Sequence, residues 1–234
     1  MNFFRFSQRA LEKASFGTQN FYISISGTYL IVPVSSAIIE DIRAMQKAGL
    51  ASLAFFYCDV RDGRKKELRG LLSSFLVQLY HQSDLYFEFL SKFYLEHDKG
   101  SRLPSNDGLA GCLKELLNLP GLAPVYLIVD GLDECTNPPV VRSPLAKVLS
   151  FIEELVKIRI PNLRVCVTSR PEPDIKNVLD PLIFRYISLH DENGQRRDIE
   201  DYIKLAINSS MIKWWNEEDR KLAIDVLVEK SNGM

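Results

Sequence analysis

The ten residues from Val125 to Glu134, VYLIVDGLDE, determine how the rest of the chain is interpreted. The five successive apolar residues at its start are typical of a strand that is covered on both faces, as in a parallel sheet. The run stops at Asp130, and Asp133 and Glu134 follow in the next turn. Because Mg²⁺ prefers carboxylate and water oxygens, and a nearby acid can orient an attacking water, this spacing predicts three acids around one crevice. The alternative is an ordinary polar turn after a strand.

Outward from this stretch, short apolar runs alternate with helical periodicities. Further strands are predicted at residues 52–60, 163–167 and 184–189. Apolar residues spaced three or four apart predict helices over residues 35–48, 66–80 and 85–95, from a cap at Ser105, from a cap at Ser143, and over residues 198–208 and 217–230. This alternation predicts an α/β fold with a doubly wound parallel sheet and helices on both faces.

Ligands of such a sheet bind beyond the carboxyl ends of its strands. Asp59, Asp130, Ser169 and Arg170 all follow or end predicted strands. The planar guanidinium fork of an arginine suits phosphate oxygens well, which favours a phosphate contact for Arg170. The alternative for Arg170 is an ion pair at the surface.

Three motifs together resemble those of NACHT-type P-loop NTPases of the STAND class. Residues 125–134 resemble the Walker B motif, and VCVTSRP at residues 165–171 resembles the sensor 1 strand, whose terminal arginine reads the γ-phosphate. FFYCDVRD at residues 55–62 resembles a segment of the fungal NLR-like branch, which carries a nephrocystin-like N-terminal NTPase domain. The resemblance extends from about residue 35 to residue 234 and implies a P-loop NTPase-like sheet.

The resemblance also implies roles for individual residues. Asp133 and Glu134 match the catalytic acids of Walker B, and Asp130 matches the residue that binds Mg²⁺ through water. Ser169 and Arg170 match the nucleotide-contacting end of the sensor 1 strand. In the intact family the ligand is ATP or ADP with Mg²⁺, and nucleotide exchange drives opening and oligomerisation in signalling.

The phosphate-binding loop expected of this family is missing. A working loop reads G-x-x-x-x-G-K-[ST], and its lysine meets the β- and γ-phosphates. It should precede the first helix, yet residues 25–35 read ISGTYLIVPVS, and no lysine lies between Lys13 and Lys47. Ser35 or Ser36 can take the Mg²⁺-ligand position, but nothing before them would hold phosphates. We therefore expect a degenerate first strand and P-loop, no cofactor in this chain, and no productive ATP hydrolysis.

Two explanations for this loss stay open at the level of sequence. The chain is either a naturally degenerate switch domain or a truncated gene product that lost the loop, since both of its ends depart from the family. Residues 1–34 are interpreted as a divergent N-terminal segment, residues 35–190 as the NACHT-like core, and residues 191–234 as a truncated C-terminal helical part.

Two functions outside NTPase signalling compete with this interpretation. One is a non-catalytic protein-interaction module on the same fold, for which Trp214 and Trp215 could supply apolar surface. The other is a metal-dependent hydrolase that uses Asp59 with the three acids of residues 125–134.

Composition and charge limit the partners and the compartment. The formal net charge is -1, so no global field favours nucleic acid or an acidic membrane. The four cysteines are widely spaced without a C-x-x-C pair, which favours buried free thiols over a zinc site. No apolar stretch approaches the roughly 20 residues of a membrane span. We expect a cytoplasmic protein whose partners are other proteins, including related NTPase domains in homotypic association, with neither nucleic acid nor membrane.

Overall fold

The computed structural model describes residues 21–24, 31–135, 143–182, 185–188 and 215–231. Its centre is a five-stranded sheet in the order β2-β3-β4-β1-β5, in which every neighbouring pair is parallel. The strands are β1 (Phe21–Ser24), β2 (Ser52–Tyr57), β3 (Val125–Asp130), β4 (Leu163–Ser169) and β5 (Arg185–Ser188). The predicted α/β fold with a parallel sheet is confirmed.

Helices follow the strands along the chain. They are α1 (Ile31–Lys47), α2 (Leu68–Tyr80), α3 (Asp84–Glu96), α4 (Asn106–Leu117), α5 (Pro144–Lys157), α6 (Pro173–Leu179) and α7 (Glu217–Ser231). Short 3-10 turns at Gly63–Lys65, Asp98–Gly100, Leu132–Cys135 and Asp180–Leu182 complete the described connections. In these described ranges, no helix is both long and apolar enough to cross a membrane.

The central strands are buried on both faces, as their continuous apolar sequences predict. Alternate residues of β2, β3 and β4, such as Phe56, Leu127 and Val165, join one large cluster with α2, α4 and α5. The intervening residues, such as Ile128 and Cys166, are also buried but lie outside that cluster. Because side chains of a strand alternate between faces, α1, which packs on β2, β3 and β4, covers the opposite face.

Helix α1 begins four residues earlier than the sequence predicts, at Ile31 instead of Ser35. Pro33 then lies in the first helical turn, where its missing N–H costs nothing because that group has no partner within the helix. The connection between β1 and α1 is thereby shortened to residues 25–30, which lie outside the described residues. The predicted helix over residues 198–208 lies outside them as well.

Two further elements extend the sequence-based interpretation. Strand β1 lies inside the segment 1–34 that the sequence sets apart, and it pairs with β4 and β5. Helix α6 was not predicted, because its seven residues are too few to show a helical periodicity. The division of the chain into three parts stays a prediction.

Candidate functional site

The connections of the sheet diverge between β1 and β4. The chain leaves β1 towards β2 at one edge, and it leaves β4 towards β5 on the other side. In an open α/β sheet, a crevice forms at this point beyond the carboxyl ends of the strands. The ends of β1, β3 and β4 meet there, and they carry Ser24, Asp130 and Ser169.

Asp130 is held at the end of β3 by hydroxyl groups from two other elements. The Thr168 hydroxyl donates to Asp130 Oδ1 at 2.5 Å, and the Gly131 N–H donates to Thr168 Oγ1 at 3.1 Å. The Ser35 side chain from α1 forms a second hydrogen bond to the carboxylate. Asp130 is only 5% exposed. Its burial raises its pKa, against the lowering effect of the Thr168 and Ser35 hydrogen bonds.

The Ser35–Asp130 contact joins the start of the first helix to the end of β3. Ser35 is fully buried in α1, and its neighbour Ser36 hydrogen-bonds the Tyr57 hydroxyl at the end of β2. Both serines that the sequence singles out for a Mg²⁺-ligand position are therefore engaged by side chains at strand ends. Ser35 is the one that contacts the acid.

Asp133 and Arg170 contact each other. The Arg170 N–H donates to Asp133 Oδ1 at 3.0 Å, and Arg170 Nε lies 3.4 Å from Asp133 Oδ2. The Asp133 side chain is buried, at 7% exposure, whereas that of Arg170 is 41% exposed. In this conformation the predicted catalytic acid neutralises the predicted phosphate-reading arginine.

Glu134 and Ser169, the other two predicted site residues, are the sequence neighbours of Asp133 and Arg170. Glu134 is half-buried, and its carboxylate accepts a long hydrogen bond of 3.4 Å from the Val60 N–H. Its own N–H donates to the Gly131 carbonyl at 2.8 Å and closes a turn in which Gly131 has a φ of 68°. That left-handed angle suits glycine. Ser169 is fully buried and donates to the Arg170 carbonyl at 2.8 Å.

Asp59 is not gathered into this cluster. Its carboxylate is paired with the Arg61 guanidinium at 3.0 and 3.2 Å, and these bonds lower the pKa of Asp59 to about 2. Asp59, Asp130 and Asp133 thus have separate partners. Over the ranges that the structure describes, no three His, Cys, Asp or Glu side chains are grouped so that they could hold a metal ion.

Two features of the site were not found from the sequence. The sequence assigns Thr168 no role beyond its place in the sensor 1-like motif, although its hydroxyl donates a hydrogen bond to Asp130. The buried thiols of Cys58 and Cys135 are also in contact, with their sulfur atoms 3.0 Å apart. Both cysteines follow strands, Cys58 after β2 and Cys135 after β3. Their contact can be predicted only when β2 and β3 are known to be neighbours in the sheet.

The sheet order, the acid at the end of β3 and the serine of α1 that contacts it define a P-loop NTPase-like α/β fold. Two solved structures share the fold across nearly the whole chain. The structure of Drosophila ORC bound to DNA has a TM-score of 0.51 and 13% identity, covering 99% of this chain and 55% of that one. The structure of the Aeropyrum pernix ORC1 protein in complex with DNA has a TM-score of 0.50 and 12% identity, covering 97% and 57%. At such low identity these likenesses show the fold alone.

Residues 33–170 match the family described as Nephrocystin 3, N-terminal, and the chain belongs to this family of nephrocystin-like, NACHT-type NTPase domains. The vegetative incompatibility protein HET-E-1 of Podospora anserina is 28% identical over 145 residues. That match covers 61% of this chain and 10% of the relative, so the chain spans about a tenth of the relative's length. The predicted resemblance to fungal NLR-like NTPases is confirmed.

Proposed function

We propose that this chain is a NACHT-like switch domain of an NLR-like signalling protein in which ATP hydrolysis has been lost. Two observations support this function: the family to which the chain belongs, and the residues that line the crevice beyond the strand ends. Its partners, on this proposal, are other proteins in the cytoplasm, including related NTPase domains. Asp133 and Glu134 are vestigial catalytic acids.

The hydrogen bond between Ser35 and Asp130 carries the proposal, because it sets the register of the missing loop. In G-x-x-x-x-G-K-[ST] the final hydroxyl binds Mg²⁺ beside the strand acid. With Ser35 in that position, the lysine position is Val34 and the second glycine position is Pro33. Counting further back, the first glycine position is Thr28.

The residues present fit the cation but do not fit the phosphates. Ser35 and Asp130 are oxygen donors of the kind that Mg²⁺ takes. Val34 has no charge to offer a phosphate, and Pro33 has no N–H to donate. When bound, Mg²⁺ and the nucleotide would supply the phosphoryl chemistry, but this chain lacks the groups that would hold the phosphates. The Asp133–Arg170 ion pair further supports a crevice that does not engage a γ-phosphate.

Thermal unfolding with and without Mg²⁺ and millimolar ATP or ADP tests the proposal. A nucleotide present at 100 times its dissociation constant would stabilise the fold by about 2.7 kcal/mol and raise the midpoint by about 5–11 °C. We expect no rise for the natural sequence. The triple substitution T28G/P33G/V34K restores the motif, and it should gain a nucleotide-dependent rise.

The control adds Asp130→Ala to the triple variant, which should remove the gain. A rise in the natural sequence that Asp130→Ala abolishes would contradict the proposal, because a nucleotide site would then survive without its loop.

A second candidate is the non-catalytic interaction module, and exposed apolar side chains on α2 and α3 favour it. Val77, Phe87, Tyr94 and Leu95 are each more than half exposed, at 63%, 51%, 53% and 59%. Apolar patches of this kind mark protein contacts. Self-association that is independent of nucleotide, and that Phe87→Ser weakens, would support this candidate. Of the predicted tryptophan pair, Trp215 is 44% exposed and Trp214 lies outside the described residues.

A further inference from the structure

Strand β2 is an edge strand, and its outer side faces away from β3. The N–H groups of Ser52 and Cys58 donate to carbonyls of Pro124 and Asp130 on the β3 side. Because backbone polar groups alternate in direction along a strand, those of Leu53 and Phe55 point outward. An edge of this kind is a template on which another chain can pair.

Two glutamines, Gln78 in α2 and Gln82 in the turn that follows it, occupy the outer side of β2. Gln82 Oε1 accepts from the Leu53 N–H at 2.9 Å, and Gln82 Nε2 donates to the Leu53 carbonyl at 2.6 Å. Gln78 repeats the arrangement at Phe55, with distances of 3.1 and 2.7 Å. Each side-chain amide therefore makes the pair of hydrogen bonds that the N–H and C=O of one residue in an antiparallel neighbouring strand would make.

The two amides are also anchored to α2. Gln78 Nε2 donates to the Ser74 hydroxyl at 2.8 Å, and Gln82 Nε2 donates to the Gln78 carbonyl at 2.8 Å. Gln78 lies in α2 and Gln82 four residues later, in the turn just after the helix. They form a surrogate strand, defined here as the side-chain amides of Gln78 and Gln82.

A cleft of about 550 Å³ lies along this edge, and its lining is cationic. Its charged side chains are Arg43 and Lys65, and no aspartate or glutamate is among the described residues that line it. The Arg43 guanidinium lies 5.2 Å from the centroid of the Phe55 ring, and Glu40, outside the cleft, pairs with it at 2.6 Å. The cleft therefore suits an acidic partner.

We infer that the edge of β2 is a strand-addition site for an extended acidic peptide, and that the surrogate strand closes it until such a peptide binds. Exchanging hydrogen bonds to the glutamine amides for hydrogen bonds to a peptide backbone changes the free energy little, because the bonds are of the same kind. The released glutamines are solvated. The main-chain hydrogen bonds then fix the register of the peptide, and contacts between its acidic side chains and the cationic lining supply affinity and selectivity.

Charge also distinguishes this occupant from a second copy of the chain. A twofold pairing of two β2 edges would bring two cationic clefts towards each other, which like-charge repulsion opposes. The site is independent of the proposed nucleotide function. Neither Gln78 nor Gln82 lies in the crevice beyond the strand ends.

Fluorescence polarisation with defined hexapeptides tests the inference. The probe is an end-blocked peptide of alternating Glu and Val, matched to the six residues of β2. The controls are the same peptide with Lys in place of Glu, and a version with N-methylated backbone amides that cannot extend a sheet. We expect only the first peptide to bind. Gln78→Ala/Gln82→Ala should bind it about tenfold more tightly, because nothing has to be displaced.

Gln46→Ala is the matched control variant, since Gln46 lines the same cleft and should leave the affinity unchanged. Amide exchange at Leu53 and Phe55 should be faster in the double variant and slow again when the peptide is added. If the double variant does not fold, Gln78→Ala and Gln82→Ala singly should each tighten binding about threefold.

Three results would overturn the inference. Equal binding of the Glu and Lys peptides, or of the N-methylated peptide, would exclude strand addition selected by charge. Unchanged or weaker affinity in the glutamine variants would mean that the two amides do not close the site. Self-association of the double variant without peptide would identify a second copy of the chain as the occupant.

Discussion

At the scale of single residues, the Asp130 carboxylate determines the character of the crevice. Burial raises its pKa, while the Thr168 and Ser35 hydroxyls partly offset that rise. An acid with a raised pKa in the folded state binds a proton more readily than the same acid in the unfolded chain. Its ionised form is therefore held at some expense to stability.

We predict that Asp130→Asn stabilises the fold near neutral pH. Below the ordinary pKa of 3.8, both folded and unfolded chains are protonated and the penalty is absent. As the pH rises from that value through the raised pKa, the unfolded chain ionises first and stability falls. The gain from Asn should therefore appear above about pH 4, rise with pH and then become constant. Denaturant unfolding at a series of pH values measures it.

Asp59→Asn serves as the control with the opposite sign. Arg61 lowers the pKa of Asp59 to about 2, so its ionised form is favoured in the folded state and its contribution disappears as the pH falls towards 2. A loss of stability in Asp130→Asn at pH 7 would contradict this prediction. It would show that the hydrogen bonds to the ionised carboxylate stabilise the fold by more than its burial destabilises it.

At the scale of elements, the sequence predicted those that carry their own signals. Strands β3 and β4 were recognised because continuous apolar runs mark strands buried on both faces. Helices α4 and α5 begin where predicted, because Ser105 and Ser143 accept from the N–H groups of Gly108 and Ala146. These signals are local, so tertiary contacts are not needed to read them.

Ser143→Ala should destabilise the fold by about 1 kcal/mol, because the Ala146 N–H loses its capping partner at 3.1 Å. At this chain length the expected fall in the unfolding midpoint is about 2–4 °C. Ser150→Ala is the matched control, since Ser150 is exposed in the same helix and alanine is the better helix former. Equal losses in both variants would show that the cap contributes nothing specific.

Other elements depend on partners far away in the sequence and could not be predicted in this way. The start of α1 was misplaced because Ile31–Val34 is apolar and contains a proline, which reads as a strand or loop. Neither the Ser35–Asp130 bond nor the pairing of Gln78 and Gln82 with β2 leaves a local trace. Both depend on which strand lies beside which, and that order follows from the packing of the whole sheet.

At the scale of the whole molecule, the core encloses every cysteine. All four thiols are buried, and Cys58 and Cys135 are in contact at 3.0 Å. The hydrogen bond with Cys135 and burial both raise the pKa of Cys58, and burial raises the pKa of Cys112 to about 12. Because the thiolate is the reactive form, these side chains are chemically inert while the fold is intact.

Alkylation by iodoacetamide at pH 8 should therefore be at least about 100-fold slower in the native protein than in denaturant, where all four thiols become exposed. Mass spectrometry of the labelled chain counts the thiols that react. Ser150→Cys provides an exposed thiol that should react at once under native conditions. Rapid native labelling of any natural cysteine would show that the core opens locally around it.

The position of β1 in the sheet sets the order in which the molecule can be assembled. β1 pairs with β4 and β5. During synthesis, Phe21 therefore cannot form its strand pairs until Cys166 and Arg185 have left the ribosome. Meanwhile β2 and β3, with the helices between them, can already collapse together. Closing so long a loop is slow because its entropy must be lost before any contact forms. The crevice is therefore completed last during synthesis, and until then the flank of β4 that β1 will occupy stays open to chaperones and to other nascent chains.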